Sequence, residues 1–291
     1  MDCDRTTSHK WLISDARTEV GGDFLNSMEL LEKTAMPKEK NISRARRITL
    51  SVMLGIILIT AFLFFFAGSF GQHAYTYSDN TKILVYHLVS DETYGPNEYL
   101  FVRVSDFEAQ LAEIKRLGYE TVFADELDKT HGKKCVVITF DDGYVDNYTN
   151  VLPLLEKYDM KATVFLISDM IGADGHLSEE QILEMQESGH FHFGSHTKTH
   201  QKLYDLDKET LQTELLESRR RIEELTGKTV RALAYPNGVC DSSTELAAEE
   251  YGYEYCFTTD KPADEFYPNT RLPRSYVVRD MAITDFLSII D

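Results

Sequence analysis

Two histidines four residues apart, His196 and His200, and two adjacent aspartates, Asp141 and Asp142, are the side chains of this sequence best suited to grip a metal ion. On a helical turn, positions 196 and 200 would point both imidazoles the same way. Two imidazoles and one carboxylate form a mixed nitrogen and oxygen site that leaves coordination places open for water and substrate. Either aspartate can supply the carboxylate, and the other is then placed to take a proton from water at the site. Neighbours on a strand point to opposite faces, but a turn through Gly143 lets both carboxylates reach one mouth. Taken alone, Asp-Asp-Gly is a turn signal and a His-x3-His pair is often a solvated helix face. Their placement in the chain sets them apart.

Each of these groups follows a compact apolar run. ILVY (83–86) leads into His87, VVITF (136–140) into Asp141, and FHFGS (191–195) into His196. In a fourth run, VRALAY (230–235), ALA leads into Tyr235-Pro236-Asn237-Gly238. ATVFLI (162–167) and YEYCFTT (253–259) read as further strands. Between them lie helical patterns. Ser105 and Glu108 form a capping-box pair before a stripe of Phe107, Leu111, Ile114 and Leu117. Ser178 with Gln181 opens another helix, 146–158 is helical despite Pro153, and 207–225 and 241–251 complete the set. The many acids of 207–225 read as a solvated face. Alternation of this kind predicts an α/β fold, a parallel sheet covered by helices, with enough residues for a complete or slightly deficient (β/α) barrel. Reacting groups in such folds lie just past the carboxyl ends of the strands, so a barrel would gather all four polar positions at one mouth.

Charge and hydropathy divide the chain. Residues 48–70 form 23 consecutive uncharged positions, long enough for one transmembrane helix. Arg44, Arg46 and Arg47 stand just before them, which predicts a cytoplasmic tail over 1–47 and export of everything after a short tether, 71–80. The exported domain, 81–291, is then extracellular and bound to the cell membrane. Residues 71–291 hold 40 acids against 21 bases, a surface that excludes nucleic acid and other polyanions as partners. The four cysteines form neither a disulfide framework nor a zinc knuckle, and Cys240 with Cys256 is the one pair an oxidising compartment could bridge.

TFDDGY (139–144), GSHTKTH (194–200) and AYPNG (234–238), in that order, resemble the metal-binding and substrate-groove motifs of the NodB-type polysaccharide deacetylases. ILVYH, the FEAQL helix and RLPR (271–274) are similar to the exported, membrane-tethered branch that includes poly-N-acetylglucosamine deacetylases. The likeness covers roughly 83–279. It implies a deformed (β/α) barrel of about seven parallel strands. It also implies Asp141 as general base and Asp142, His196 and His200 as ligands of a divalent ion, usually zinc, in some members cobalt, nickel or iron. Tyr144, Tyr235, Pro236 and Asn237 would line the sugar groove, with the Asn237 N–H facing the developing oxyanion. The reaction implied is hydrolysis of N-acetyl groups from an extracellular N-acetylhexosamine polysaccharide.

Two departures matter. Ala234 stands where many members carry an arginine that orients the base, and Arg274 is the replacement. No histidine follows His200, so the family's late leucine–histidine motif is missing and His87 inherits the role of acid. The same site could instead cleave an O-acetyl ester, and the departures also fit a non-catalytic glycan-binding relative.

Overall fold

The structure is a computed structural model and describes Ser51 and residues 53–56, 80–130, 132–260 and 269–291. The chain divides into two compact units, Met1–Gln72 and His73–Asp291. Of the first unit, Ser51 and residues 53–56 are described, and they are helical. The predicted tail (1–47), the rest of the predicted span (48–70) and the tether up to Ser78 and Asp79 lie outside the described residues. Among the described residues no helix is long and apolar enough to cross a membrane.

The second unit opens with β1 (Thr81–Tyr86), followed by two short strands, β2 (Leu88–Val89) and β3 (Phe101–Val102). Helix α1 (Val104–Arg116) leads to β4 (Glu120–Thr121) and β5 (Cys135–Phe140). Four units follow: α2 (Leu152–Tyr158) with β6 (Ala162–Leu166), α3 (Glu179–Glu187) with β7 (Phe191–Ser195), α4 (Lys208–Thr226) with β8 (Ala232–Ala234), and α5 (Ser242–Glu250) with β9 (Tyr255–Thr258). The chain ends with β10 (Leu272–Pro273), β11 (Ser275–Tyr276) and α6 (Ile283–Ile290). All sheet pairings are parallel, in the order β10-β9-β8-β7-β6-β5-β1-β11, with β4 attached to β5 and β2 paired to β3 apart.

The two ends of that order belong to one segment. Leu272 and Pro273 pair with β9, Ser275 and Tyr276 pair with β1, and only Arg274 separates them. The Arg274 N–H still donates to Thr258 O (2.8 Å), and the Val277 N–H to Val85 O (3.0 Å). Counted as one stave, residues 272–276 close a near-barrel of seven, the number expected.

Strand alternation sorts the core into two layers. One cluster, with no α-helix residue in it, contains Ile83, Val137, Phe165, Ala232, Ala234, Phe257 and Leu272 and fills the inside of the sheet. The other joins Leu84, Ile138, Val164, Phe191 and Leu233 to the helices through Leu111, Leu155, Ile182 and Leu215. Gly194 lies on the inner side because a Cβ there would stand 2.6 Å from the Phe165 ring and 3.0 Å from Ala232 O.

The local signals predicted at α3 are present, since Gln181 N donates to Ser178 Oγ (3.2 Å) and Ser178 N to Gln181 Oε1 (2.9 Å). They also held at α4, which Asp207 caps and Gly227 ends with φ 65°. Helix α1 starts earlier than its capping-box pair predicts, with Arg103 as N-cap and Ser105 already inside the first turn. The predicted helix over 146–158 is a π-helical turn, Asn147–Val151, running into α2, with Pro153 in the first α turn, where its missing N–H is harmless. Cys240 and Cys256 are buried free thiols.

The π turn fastens the segment after β1. Asp146 Oδ2 accepts from Val89 N (2.9 Å), Asn150 Nδ2 donates to Val89 O (2.8 Å), and Asn147 Nδ2 donates to His87 O (3.3 Å). Burial pushes the Asp146 carboxyl up to about 7, against the lowering effect of the Val89 and Asn147 donors. The folded chain thus retains a proton that the unfolded chain releases near pH 4. Stability from this group is complete below about pH 4 and is lost as the pH rises through about 7. Thermal melts followed by circular dichroism should therefore show a fall in Tm between about pH 4 and 7, levelling off above, that is several degrees larger in the wild type than in Asp146→Asn. Parallel curves would remove Asp146 as the source.

Candidate active site

The inward register of each strand ends on a chemical group. Ile83 and Val85 precede His87; Val137 and Thr139 precede Asp141; His192 and Gly194 precede His196; Leu272 precedes Arg274. Period-two geometry therefore aims all four into the same end of the barrel.

Asp141 and Arg274 make the tightest contact there. Arg274 Nη1 donates to Asp141 Oδ1 and Nη2 to Oδ2, both at 2.7 Å, with the pair almost wholly buried. A further Nη1 bond reaches Thr139 Oγ1 (3.1 Å), and the guanidinium lies 5.5 Å from the centre of the Phe165 ring. Burial alone would raise the Asp141 pKa, but the Arg274 charge and fork outweigh it and hold the carboxyl well below the usual carboxylate range. Asp141 is ionised and fixed.

Asp142 escapes strand alternation because it is left-handed, with φ 70°, and Gly143 follows at φ 77°. This turn brings Asp142 Oδ1 to 3.5 Å from His196 Nε2 and 3.7 Å from His200 Nε2. His196 Nδ1 donates to Ala234 O (2.8 Å); since a carbonyl can only accept, the proton is on Nδ1 and the Nε2 lone pair faces Asp142. Burial lowers the His196 pKa, and a neutral ring is what a metal ligand requires.

The donor atoms of Asp142, His196 and His200 lie within 4.8 Å of one another, and Asp142 Oδ1 is buried with no hydrogen-bond partner. A buried, unpaired carboxylate oxygen facing two imidazole nitrogens is what a divalent cation would satisfy. The residues fit the ion.

The helical turn expected over 196–200 is absent. Thr197 (φ 67°) and His200 (φ 64°) are left-handed, so a tight loop, not a helix, brings the two rings to 4.7 Å. Asn237 (φ 59°) is left-handed too, and four of the six left-handed non-glycine residues among those described therefore sit at this mouth. Each costs about 1 kcal/mol or more, a concentration of strain typical of functional sites.

A cleft of about 450 Å³ opens over these groups, lined by His87, Tyr144, Asn237 and Gly238 together with Asn97, Tyr99, Leu100, Ile167, Met170, His176, Thr199 and Tyr276. His87 lies parallel to Tyr276, with ring centres 6.2 Å apart. Burial lowers the His87 pKa, while Asp141 and Asp142 pull it up. Burial and the adjacent Asp142 charge push the Tyr144 hydroxyl well above its ordinary pKa. Tyr144 stacks on His176 at 5.1 Å.

Two predicted groove residues lie elsewhere. Tyr235 follows Leu233 on the outward register, is fully buried in the layer under the helices, and donates from its hydroxyl to Thr270 O (2.9 Å). Pro236 is buried beside it and does not line the cleft. His190 and His192 also stay clear of the candidate donor set: their Nδ1 atoms contact Met160 O (2.8 Å) and Asp125 Oδ1 (3.0 Å). Missed in the sequence were Tyr276, Tyr99 and Asn97, which stand on or near strands too short to show periodicity, and His176, brought in by its bridge to Tyr144. Glu214, read as part of a solvated face, is buried, and its place one turn after Leu211 and beside Leu215 is the signal that marks it.

Known proteins resemble this chain in sequence and in fold. A sequence profile described as polysaccharide deacetylase matches residues 128–256. A Bacillus anthracis crystal structure, provisionally named a polysaccharide deacetylase, superposes with a TM-score of 0.67 at 31% identity, covering 72% of this chain and 69% of that one. The chain belongs to the NodB-type polysaccharide deacetylase family. Among curated proteins, YxkH of Bacillus subtilis (strain 168), provisionally named a polysaccharide deacetylase, is 37% identical over 187 residues, 62% of this chain and 65% of its own length. The poly-beta-1,6-N-acetyl-D-glucosamine N-deacetylase of Staphylococcus epidermidis is 33% identical over 162 residues, 51% of this chain and 56% of its own. The chain thus spans less than two thirds of these two relatives.

Removing one partner of the buried pair would strand the other. Arg274→Ala should lower stability by about 3–5 kcal/mol in urea denaturation, because Asp141 would remain charged and buried. Arg274→Lys keeps the charge but loses the fork, and should lose less. An Arg274→Ala variant as stable as the wild type would show that the pair is not needed for the fold.

Proposed function

We propose that this chain hydrolyses N-acetyl groups of an extracellular polysaccharide containing N-acetylglucosamine, releasing acetate, and that it works from the cell membrane on a single span over 48–70. The observation that carries the reading is the neighbourhood of Asp141. A carboxylate locked by Arg274 stands with Oδ2 3.9 Å from His196 Nε2, beside a three-residue donor set it does not join. A binding protein has no need of that spare carboxylate. Support for the substrate comes from the Staphylococcus epidermidis relative and its named activity. The acidic exported domain favours a neutral or cationic polymer over an anionic one.

Asp142, His196 and His200 would hold the divalent ion, for which zinc is the first choice and cobalt, nickel or iron the alternatives. Such an ion supplies Lewis acidity toward an acetamide carbonyl and lowers the pKa of a nearby water. Asp141 accepts the proton of the attacking water, and Arg274 keeps both its oxygens aimed during that transfer. The backbone N–H of Asn237, a residue of the cleft wall, is the donor assigned to the oxygen that gains charge. His87 protonates the nitrogen as the C–N bond breaks, giving acetate and a free amine. Burial makes protonated His87 a strong donor. Tyr144 and Tyr276 offer flat faces to the sugar ring.

The full chain in detergent should release acetate from N-acetylglucosamine oligomers, and a chelator should abolish the release. Asp141→Asn should reduce kcat by about 10²-fold or more, and His87→Gln by about tenfold or more. Full activity in Asp141→Asn would remove the proposed base. Release from O-acetylated glycans alone would turn the reading to an esterase.

A further inference from the structure

Between the two histidine ligands the chain makes a left-handed loop, and one carboxyl group holds it from behind. Glu214 lies on α4, whose inner stripe is Leu211, Leu215, Ser218 and Ile222, and it is 2% exposed. Its Oε2 accepts from Lys198 N (3.0 Å) and Thr199 N (2.8 Å). Its Oε1 accepts from Thr199 Oγ1 (2.5 Å) and Gln201 Nε2 (3.2 Å). Four donors saturate the carboxyl group, and all of them come from the five residues that follow His196. Ser218, one turn further on, bonds Ser195 Oγ (2.8 Å), so α4 grips both sides of His196.

We infer that Glu214 is a positioning residue for the metal centre. Its hydrogen bonds fix the 197–200 loop in the left-handed form that brings His200 back to Asp142 and His196. The inference rests on the metal reading of the Asp142, His196 and His200 set, to which Glu214 itself adds no ligand. The physical logic is that of an outer layer of hydrogen bonds that fixes ligands before the ion arrives. Without Glu214, Lys198 N and Thr199 N lose their acceptor, Thr197 and His200 can relax to ordinary backbone angles, and His200 swings away.

Glu217 provides the contrast, since it lies on the same helix and reaches the same loop. It is half exposed and pairs with the Lys198 ammonium, touching no backbone group of the loop. A purely electrostatic effect of helix acids on a cation would be felt at Glu217 as well, weakened by solvent screening, and would be lost in full on neutralising Glu214 to Gln.

The test is zinc affinity of the full chain in detergent, by competition with a chromophoric chelator. Amide hydrogen exchange over 197–201 is followed in parallel. Glu214→Ala should raise the zinc Kd about 10–100-fold and speed exchange at Lys198 and Thr199. Glu214→Gln keeps an acceptor for the backbone donors and should show a smaller rise, while Glu217→Ala should stay within about twofold of the wild type. A folded Glu214→Ala with wild-type zinc affinity would overturn the inference; if that variant does not fold, unchanged affinity and exchange in Glu214→Gln would do so. An equal loss in Glu217→Ala would replace positioning with bulk charge and also overturn it. A wild type that binds no zinc, cobalt, nickel or iron would overturn both this inference and the metal reading beneath it.

Discussion

A doubly hydrogen-bonded ion pair between Asp141 and Arg274 is the constraint around which this molecule is organised. It joins the end of β5 to the segment that closes the barrel, and neither partner has water to fall back on. Buried pairs of this kind seldom add net stability over an apolar filling, because removing two charges from water is expensive. Here the pair has another product, an aspartate ionised under all ordinary conditions and held at one orientation. The cost of its burial is offset in part by the fork, by Thr139 and by the Phe165 face, and what results is the fixed carboxylate that the proposed base requires.

The second organising element is backbone strain. Asp142, Thr197, His200 and Asn237 all occupy left-handed conformations, and three of the four are proposed ligands or lie between ligands. Regular strands could not do this work, since alternation would send Asp142 away from Asp141. The fold supplies rigid staves up to the mouth and then breaks its own regularity there. Buried acceptors such as Glu214 and the carbonyl of Ala234 keep the irregular stretches in place.

Much of this was legible in the sequence. The strand cores, the α3 and α4 caps and the placement of His87, Asp141 and His196 past strand ends followed from apolar runs and turn residues alone. Arg274 was reachable only through family resemblance, because a two-residue strand on either side leaves no periodic trace. Tyr235 was misplaced for want of a register argument: it follows Ala232 and Ala234 by an odd step, which turns it outward. Glu214 was hidden by composition, one acid among many on a helix whose apolar stripe, followed residue by residue, includes it. The tight loop at 196–200 could not be read, since Thr197 and His200 are not residues that advertise a left-handed backbone.

The closing stave has a consequence for how the protein comes into being. Arg274 follows Asp141 by 133 residues, and six of the seven staves emerge from the ribosome before it does. Until then β1 and β9 are bare edges and Asp141 is an unmatched acid in a greasy channel. Insertion of five residues seals the cylinder and gives Asp141 its cationic partner together. A chain cut short of residue 272 would therefore lose, in one stroke, the closure of its sheet and the counter-charge of Asp141.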